Sequence, residues 1–169
     1  MKTLILILLF FNLVFAEDIH YQQGMGYLNS DEYEYAVKEF ERFIKDNPSS
    51  SKGHNNLGFA YFKIGNYEIA ESCYKKAIEL DPSYSVAYNN LGIVYYHKKD
   101  YQKAIECYKK AIEINPQYTK AMVNLGVAYY KSGDRENAKL VCLKAKEIDR
   151  KYLEERYRIA KEGGNANKK

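Results

Sequence analysis

The segment Cys73-Tyr74-Lys75-Lys76-Ala77-Ile78-Glu79 recurs as Cys107-Tyr108-Lys109-Lys110-Ala111-Ile112-Glu113, 34 residues further on. A fixed period of this length belongs to units that cannot bury an apolar face alone and must stack on copies of themselves. Counted from Glu17, the chain divides into units at 17–50, 51–84, 85–118 and 119–152. Their columns agree. The seventh and eighth places hold Leu57-Gly58, Leu91-Gly92 and Leu125-Gly126, with Gln23-Gly24 in the first unit; the eleventh is Tyr27, Tyr61, Tyr95 and Tyr129. The twentieth is Ala36, Ala70, Ala104 and Ala138, and the twenty-fourth is Phe40, Tyr74, Tyr108 and Cys142.

Apolar residues at places 4, 7, 8 and 11, and again at 17, 20, 24 and 27, follow helical spacing, so each unit reads as two amphipathic helices. Gly at the eighth place and Ala at the twentieth remove volume where the helices cross, and the Tyr at the eleventh is expected to fill the space beside them. Asn29-Ser30-Asp31, Gly65-Asn66, Lys99-Asp100 and Gly133-Asp134 supply the turn within each unit. Asn47-Pro48, Asp81-Pro82 and Asn115-Pro116 end the second helix, because the residue before proline is pushed out of helical geometry.

These columns resemble the tetratricopeptide repeat (TPR), over residues 17–152. The resemblance implies an all-α, right-handed superhelical solenoid of four helix-turn-helix units whose first helices line a concave groove. It places Gln22, Asn56, Asn90 and Asn124 in that groove, the three asparagines being candidates to hydrogen-bond an extended peptide. Phe59, Phe62, Ile93, Tyr96, Val127 and Tyr130 are its apolar anchors, with Met25 and Leu28 in the first unit. Lys52, Lys63, His97, Lys120 and Lys131 add positive charge at its edge. The two-carboxylate clamp of some TPR proteins is not reproduced: its five places hold Tyr21, Met25, Asn56, Val86 and Asn90, or Asn55, Phe59, Asn90, Lys120 and Asn124 one unit later.

Outside the repeats, Lys2 precedes an apolar run from Leu4 to Phe15 that ends at Ala16, followed by Glu17-Asp18. The run is shorter than the ~20 residues a spanning helix needs, so residues 1–16 read as a signal peptide whose removal leaves the repeats intact and no integral membrane span. Export to the periplasm or extracellular space is the expectation, and no Asn-X-Ser/Thr acceptor stands in the chain apart from Asn47-Pro48-Ser49, which its proline excludes. Beyond the fourth unit, 153–162 reads as a separate capping helix with a polar outer face, and 163–169 as a disordered tail.

A formal net charge of +4, with basic residues scattered along the units, gives no support for nucleic-acid binding. Cys73 and Cys107 hold equivalent places in adjacent units, too far apart for a disulfide, and Cys142 is expected to be a small core residue. The three histidines form no metal-ligand pair, and no cofactor or catalytic motif is present. The expected function is therefore an exported adaptor or scaffold that binds a protein or peptide partner in its groove without catalysis. Two other readings stand beside it: a structural subunit of an envelope assembly that uses its convex face or end helices, and an enzyme with an unrecognised site. Homo-oligomerisation is left open.

Overall fold

The computed structural model describes the backbone of residues 19–166, with side chains through Lys151 and that of Glu154. The leader read at 1–16 and the last residues, 167–169, lie outside the described residues. These hold eight helices and no strand: α1 (19–29), α2 (Tyr33–Asp46), α3 (Ser51–Lys63), α4 (Tyr67–Leu80), α5 (Ser85–His97), α6 (Tyr101–Ile114), α7 (Thr119–Ser132) and α8 (Arg135–Ala166).

Local chemistry sets the helix ends. The turn inside each unit passes through left-handed backbone at one column, Asp31 (φ 58°), Gly65 (83°), Lys99 (63°) and Gly133 (95°). Glycine adopts this conformation without steric cost and the other two do not. The next residue or two then cap the second helix: Asn66, Asp100 and Asp134 accept from the backbone N–H of Ile69, Lys103 and Asn137. At the other end, the Asp81 and Asn115 carboxyl and amide oxygens accept from the N–H of Ser83 and Gln117, fixing the exit turn around Pro82 and Pro116.

Within a unit the helices meet at the eighth and twenty-fourth places. A Cβ added to Gly24, Gly58 or Gly92 would stand 2.8, 3.0 or 2.6 Å from a ring carbon of Phe40, Tyr74 or Tyr108. Those three rings are among the largest fully or nearly fully buried side chains. Between units a second exchange of volume operates. Where the twenty-seventh place is Ala77 or Ala111, the third place of the next unit is Ala87 or Ala121; where it is Phe43, that place is Gly53, whose added Cβ would meet the Phe43 ring at 2.8 Å. The tyrosines of the eleventh place do something other than the sequence suggests. They reach back to the second helix of the preceding unit, Tyr61 and Tyr95 donating to Glu41 (2.6 Å) and Glu71 (3.0 Å), and Tyr129 lying under the Lys109 ammonium.

Successive first helices touch, α3 with α5 and α5 with α7, while successive second helices are held further apart. The first helices therefore line the inside of a superhelical stack. At the C-terminal end α8 runs unbroken for 32 residues from Arg135, through the segment read as a capping helix at 153–162. Arg150 stands where the other units have proline, and nothing removes the backbone N–H or clashes with the preceding turn. Residues 163–166, read as disordered, continue the same helix.

Candidate binding groove

The groove asparagines are tied together along the inner face. Asn124 Nδ2 donates to Asn89 Oδ1 (2.9 Å), Asn89 Nδ2 to Asn90 Oδ1 (3.3 Å), and Asn90 Nδ2 to Asn55 Oδ1 (3.0 Å). Asn55 Nδ2 donates to Asn56 Oδ1 (3.2 Å), and Asn56 Nδ2 to the Tyr21 hydroxyl (3.0 Å) and Met25 sulfur (3.3 Å). Apart from the Met25 contact, each link between units joins the sixth place of one to the fifth of the unit before it. Asn55 and Asn89 are buried, Asn89 completely, and an amide removed from water must find partners inside the protein. Sequence reasoning passed over these two, although the doubled Asn-Asn in matching columns was their signal. The ladder stops at Asn124, since Val123 fills the fifth place of the last unit and is 47% exposed. The amide donors of Asn56, Asn90 and Asn124 thus serve the stack first; among the described residues the Asn124 oxygen receives no donor.

The apolar positions are more open. Phe59, Val127 and Tyr130 are exposed, while Phe62, Ile93 and Tyr96 are half-buried. Ile93, Tyr96, His97, Asn124 and Val127 surround one cavity of about 210 Å³ between α5 and α7, floored by the Tyr108 ring. His97 is less a bare edge charge than a member of an aromatic cluster, its ring 5.1 Å from Phe62 and 5.5 Å from Tyr67. Gln22 and Lys52 are exposed at the far end, away from this cavity.

Charge is segregated more sharply than the net value suggests. Helices α3, α5 and α7 contain no Asp or Glu. Lys52, Lys120 and Lys131 are exposed and have no carboxylate partner among the described residues, and Lys63 lies over the Tyr33 ring at 4.9 Å. On the second helices and turns, by contrast, Lys75, Lys76, Lys98, Lys103 and Lys110 are paired. The densest pairing is at Glu71. Burial alone would raise its carboxyl pKa, but hydrogen bonds from Lys75, Lys98 and Tyr95 outweigh burial and hold it down at about 2.

A second cavity, of about 400 Å³, lies on the last unit. Gly126, Val127 and Tyr130 of α7 and Ala138 and Cys142 of α8 form its walls, with the exposed Arg135 and Lys139 beside them. Cys142 is half-buried against this space, which corrects its reading as a core residue: the thiol is too small to fill the place that rings occupy in the other units. All three cysteines are free, and burial pushes the thiols of Cys73 and Cys107 up to about 11 and about 12, away from thiolate reactivity. Among the described residues no group of His, Cys, Asp and Glu is arranged to hold a metal ion, and no helix is long and apolar enough to cross a membrane.

Paired helices stacked at a 34-residue period around an inner groove define an α-solenoid repeat protein. Models of the tetratricopeptide repeat match residues 18–50, 51–84, 85–118 and 107–139, and the chain belongs to the tetratricopeptide repeat family. A crystal structure of MamA is similar at 30% identity and a TM-score of 0.77, over 82% of this chain and 81% of that one. MamA from Desulfovibrio magneticus RS-1 is 26% identical with a TM-score of 0.74, over 80% and 76% of the two chains. The first TPR of Spaghetti (RPAP3), bound to the HSP90 peptide SRMEEVD, shares the fold at 21% identity and a TM-score of 0.67, over 69% of this chain and 93% of that one. A comparison with curated proteins finds no match.

Proposed function

We propose that this chain is an exported adaptor that holds a protein or peptide partner along its first helices, without chemistry of its own. The observation that carries the reading is the row of exposed Phe59, Val127 and Tyr130 beside unpaired lysines, on helices that contain no carboxylate. Apolar anchors ringed by polar groups are what a peptide groove needs. The fold has been seen around a peptide in the Spaghetti structure. Substituting the asparagines would test the stack as much as the groove, so the decisive variant is Phe59→Ala, Val127→Ala and Tyr130→Ala together. Affinity capture from the native compartment, read by mass spectrometry, is expected to lose specific partners with this variant. Unchanged recovery by a folded variant would move the site elsewhere. Export rests on the apolar run at Leu4–Phe15, and a mature protein that begins at Met1 on N-terminal sequencing would overturn it.

The envelope-subunit reading is supported by a different observation. Leu140 and Leu143 are 66% and 54% exposed at columns that hold Lys38 and Glu41, Ser72 and Lys75, or Glu106 and Lys109 in the other units. Crosslinks to Lys75 or Lys109 would favour that outer face, and crosslinks to Lys63 or Lys131 the groove.

A further inference from the structure

We propose that the cavity between α7 and α8 receives the aromatic side chain of an acidic partner segment that continues along the groove. The inference rests on the groove reading and adds what fills its last position.

The chain itself shows what shape this space has. In three units the glycine of the first helix faces a buried ring, Gly24 with Phe40, Gly58 with Tyr74 and Gly92 with Tyr108. In the fourth, Gly126 faces the sulfur of Cys142, and the volume of the missing ring is open. No helix stands over it among the described residues, whereas the equivalent position of the third unit has α7 as a further wall and keeps a smaller space, about 210 Å³, above the Tyr108 ring. The walls are almost wholly apolar, so water there gains few hydrogen bonds and a ring entering from outside displaces it favourably.

Charge decides the flanks of that ring. Arg135 and Lys139 stand beside the cavity, the Arg135 guanidinium lying 5.7 Å from the Tyr130 ring. Neither has a carboxylate partner among the described residues, and α3, α5 and α7 supply none. Val127 borders both this cavity and the one between α5 and α7, so a single extended segment can occupy the groove and set one ring into the end position.

The test begins with a random-peptide display library selected on the full chain. Enriched peptides are expected to carry an aromatic residue flanked by Asp or Glu. Cys142→Phe restores the ring of the other units; it should raise Tm and weaken these peptides at least about tenfold. Replacing the peptide ring by Ala should weaken binding to the original protein by a similar factor and add little in Cys142→Phe. Arg135→Glu with Lys139→Glu, which leaves Cys142 and the apolar walls of the cavity in place, should cause a comparable loss and remove part of the salt dependence. A lower Tm for Cys142→Phe would show that the space does not fit a ring and would overturn the inference. Peptides that bind Cys142→Phe unchanged but are lost with Ile93→Ala and Lys120→Glu would overturn it while leaving the groove reading in place. Peptides indifferent to all of these substitutions, or no enrichment, would overturn both. Sedimentation of the unliganded protein as a dimer that Cys142→Phe dissociates would assign the cavity to a second copy of the chain instead.

Discussion

In the third unit the Tyr108 ring rests on Gly92 and is 2% exposed; in the fourth, the same columns hold Gly126 and Cys142 with a cavity of about 400 Å³ beside them. Both pairs of helices have the same turn, the same buried alanine and the same close glycine. Only the filling differs. A joint filled by a ring and flanked by the next unit is a structural part, whereas a joint with neither is a surface that something else can complete. Function is therefore to be sought where the repeat departs from itself.

Making the closed joint resemble the open one gives the largest effect. Tyr108→Cys removes a buried ring that neighbours on both sides hold in place, and should cost about 3–4 kcal/mol in urea unfolding. Glycine substitutions separate the joints next. In Gly92→Ala the new methyl would stand 2.6 Å from the buried Tyr108 ring, which must shift, at a cost of about 2 kcal/mol. In Gly126→Ala the obstacle is the Cys142 thiol, which can rotate into the cavity, and the change should stay under about 1 kcal/mol. Equal effects at the two sites would show that the joints do not differ.

The joint between the second and third units is held by charge where others are apolar, Glu71 standing in the column of Val37 and Ile105. Its folded carboxyl, at about 2, lies below the ordinary glutamate value of ~4.3. A depressed carboxyl stabilises the fold above its unfolded pKa and loses that contribution as pH falls from about 4.3 toward 2. Glu71→Gln should cost roughly 1.5 kcal/mol at neutral pH. It should also flatten the decline of Tm with pH across that acid window, and an unaltered acid limb would show that the network contributes nothing. The smallest effect is expected at the turns, where Lys99 has the left-handed backbone that Gly65 and Gly133 adopt freely. Lys99→Gly should stabilise by about 0.5–1 kcal/mol, measured by thermal unfolding.

Much of the fold is legible in one column or another of the sequence. Helical spacing, the left-handed turn, the Asn-Pro and Asp-Pro stops and the small-against-large pairing of helices all act within one unit, over distances that a local pattern records. The site was less legible. Phe59, Val127 and Tyr130 could be placed on the inner face by the family resemblance, but the role of the asparagines could not, because their inter-unit bonds join residues 31 or 35 apart. Nor could the sequence show that a tyrosine at the eleventh place spans back to the unit before.

By itself, then, the sequence determined the unit: a period, two amphipathic helices, and the volumes that let them cross. The stack decided the rest. Cys142 looks like a modest substitution in an alignment of four columns, and becomes a cavity only because no neighbouring side chain reaches into the space that the ring leaves. Whether a small residue is packed or exposes a hole depends on what lies across from it, and that is fixed by tertiary contacts, which no single unit contains.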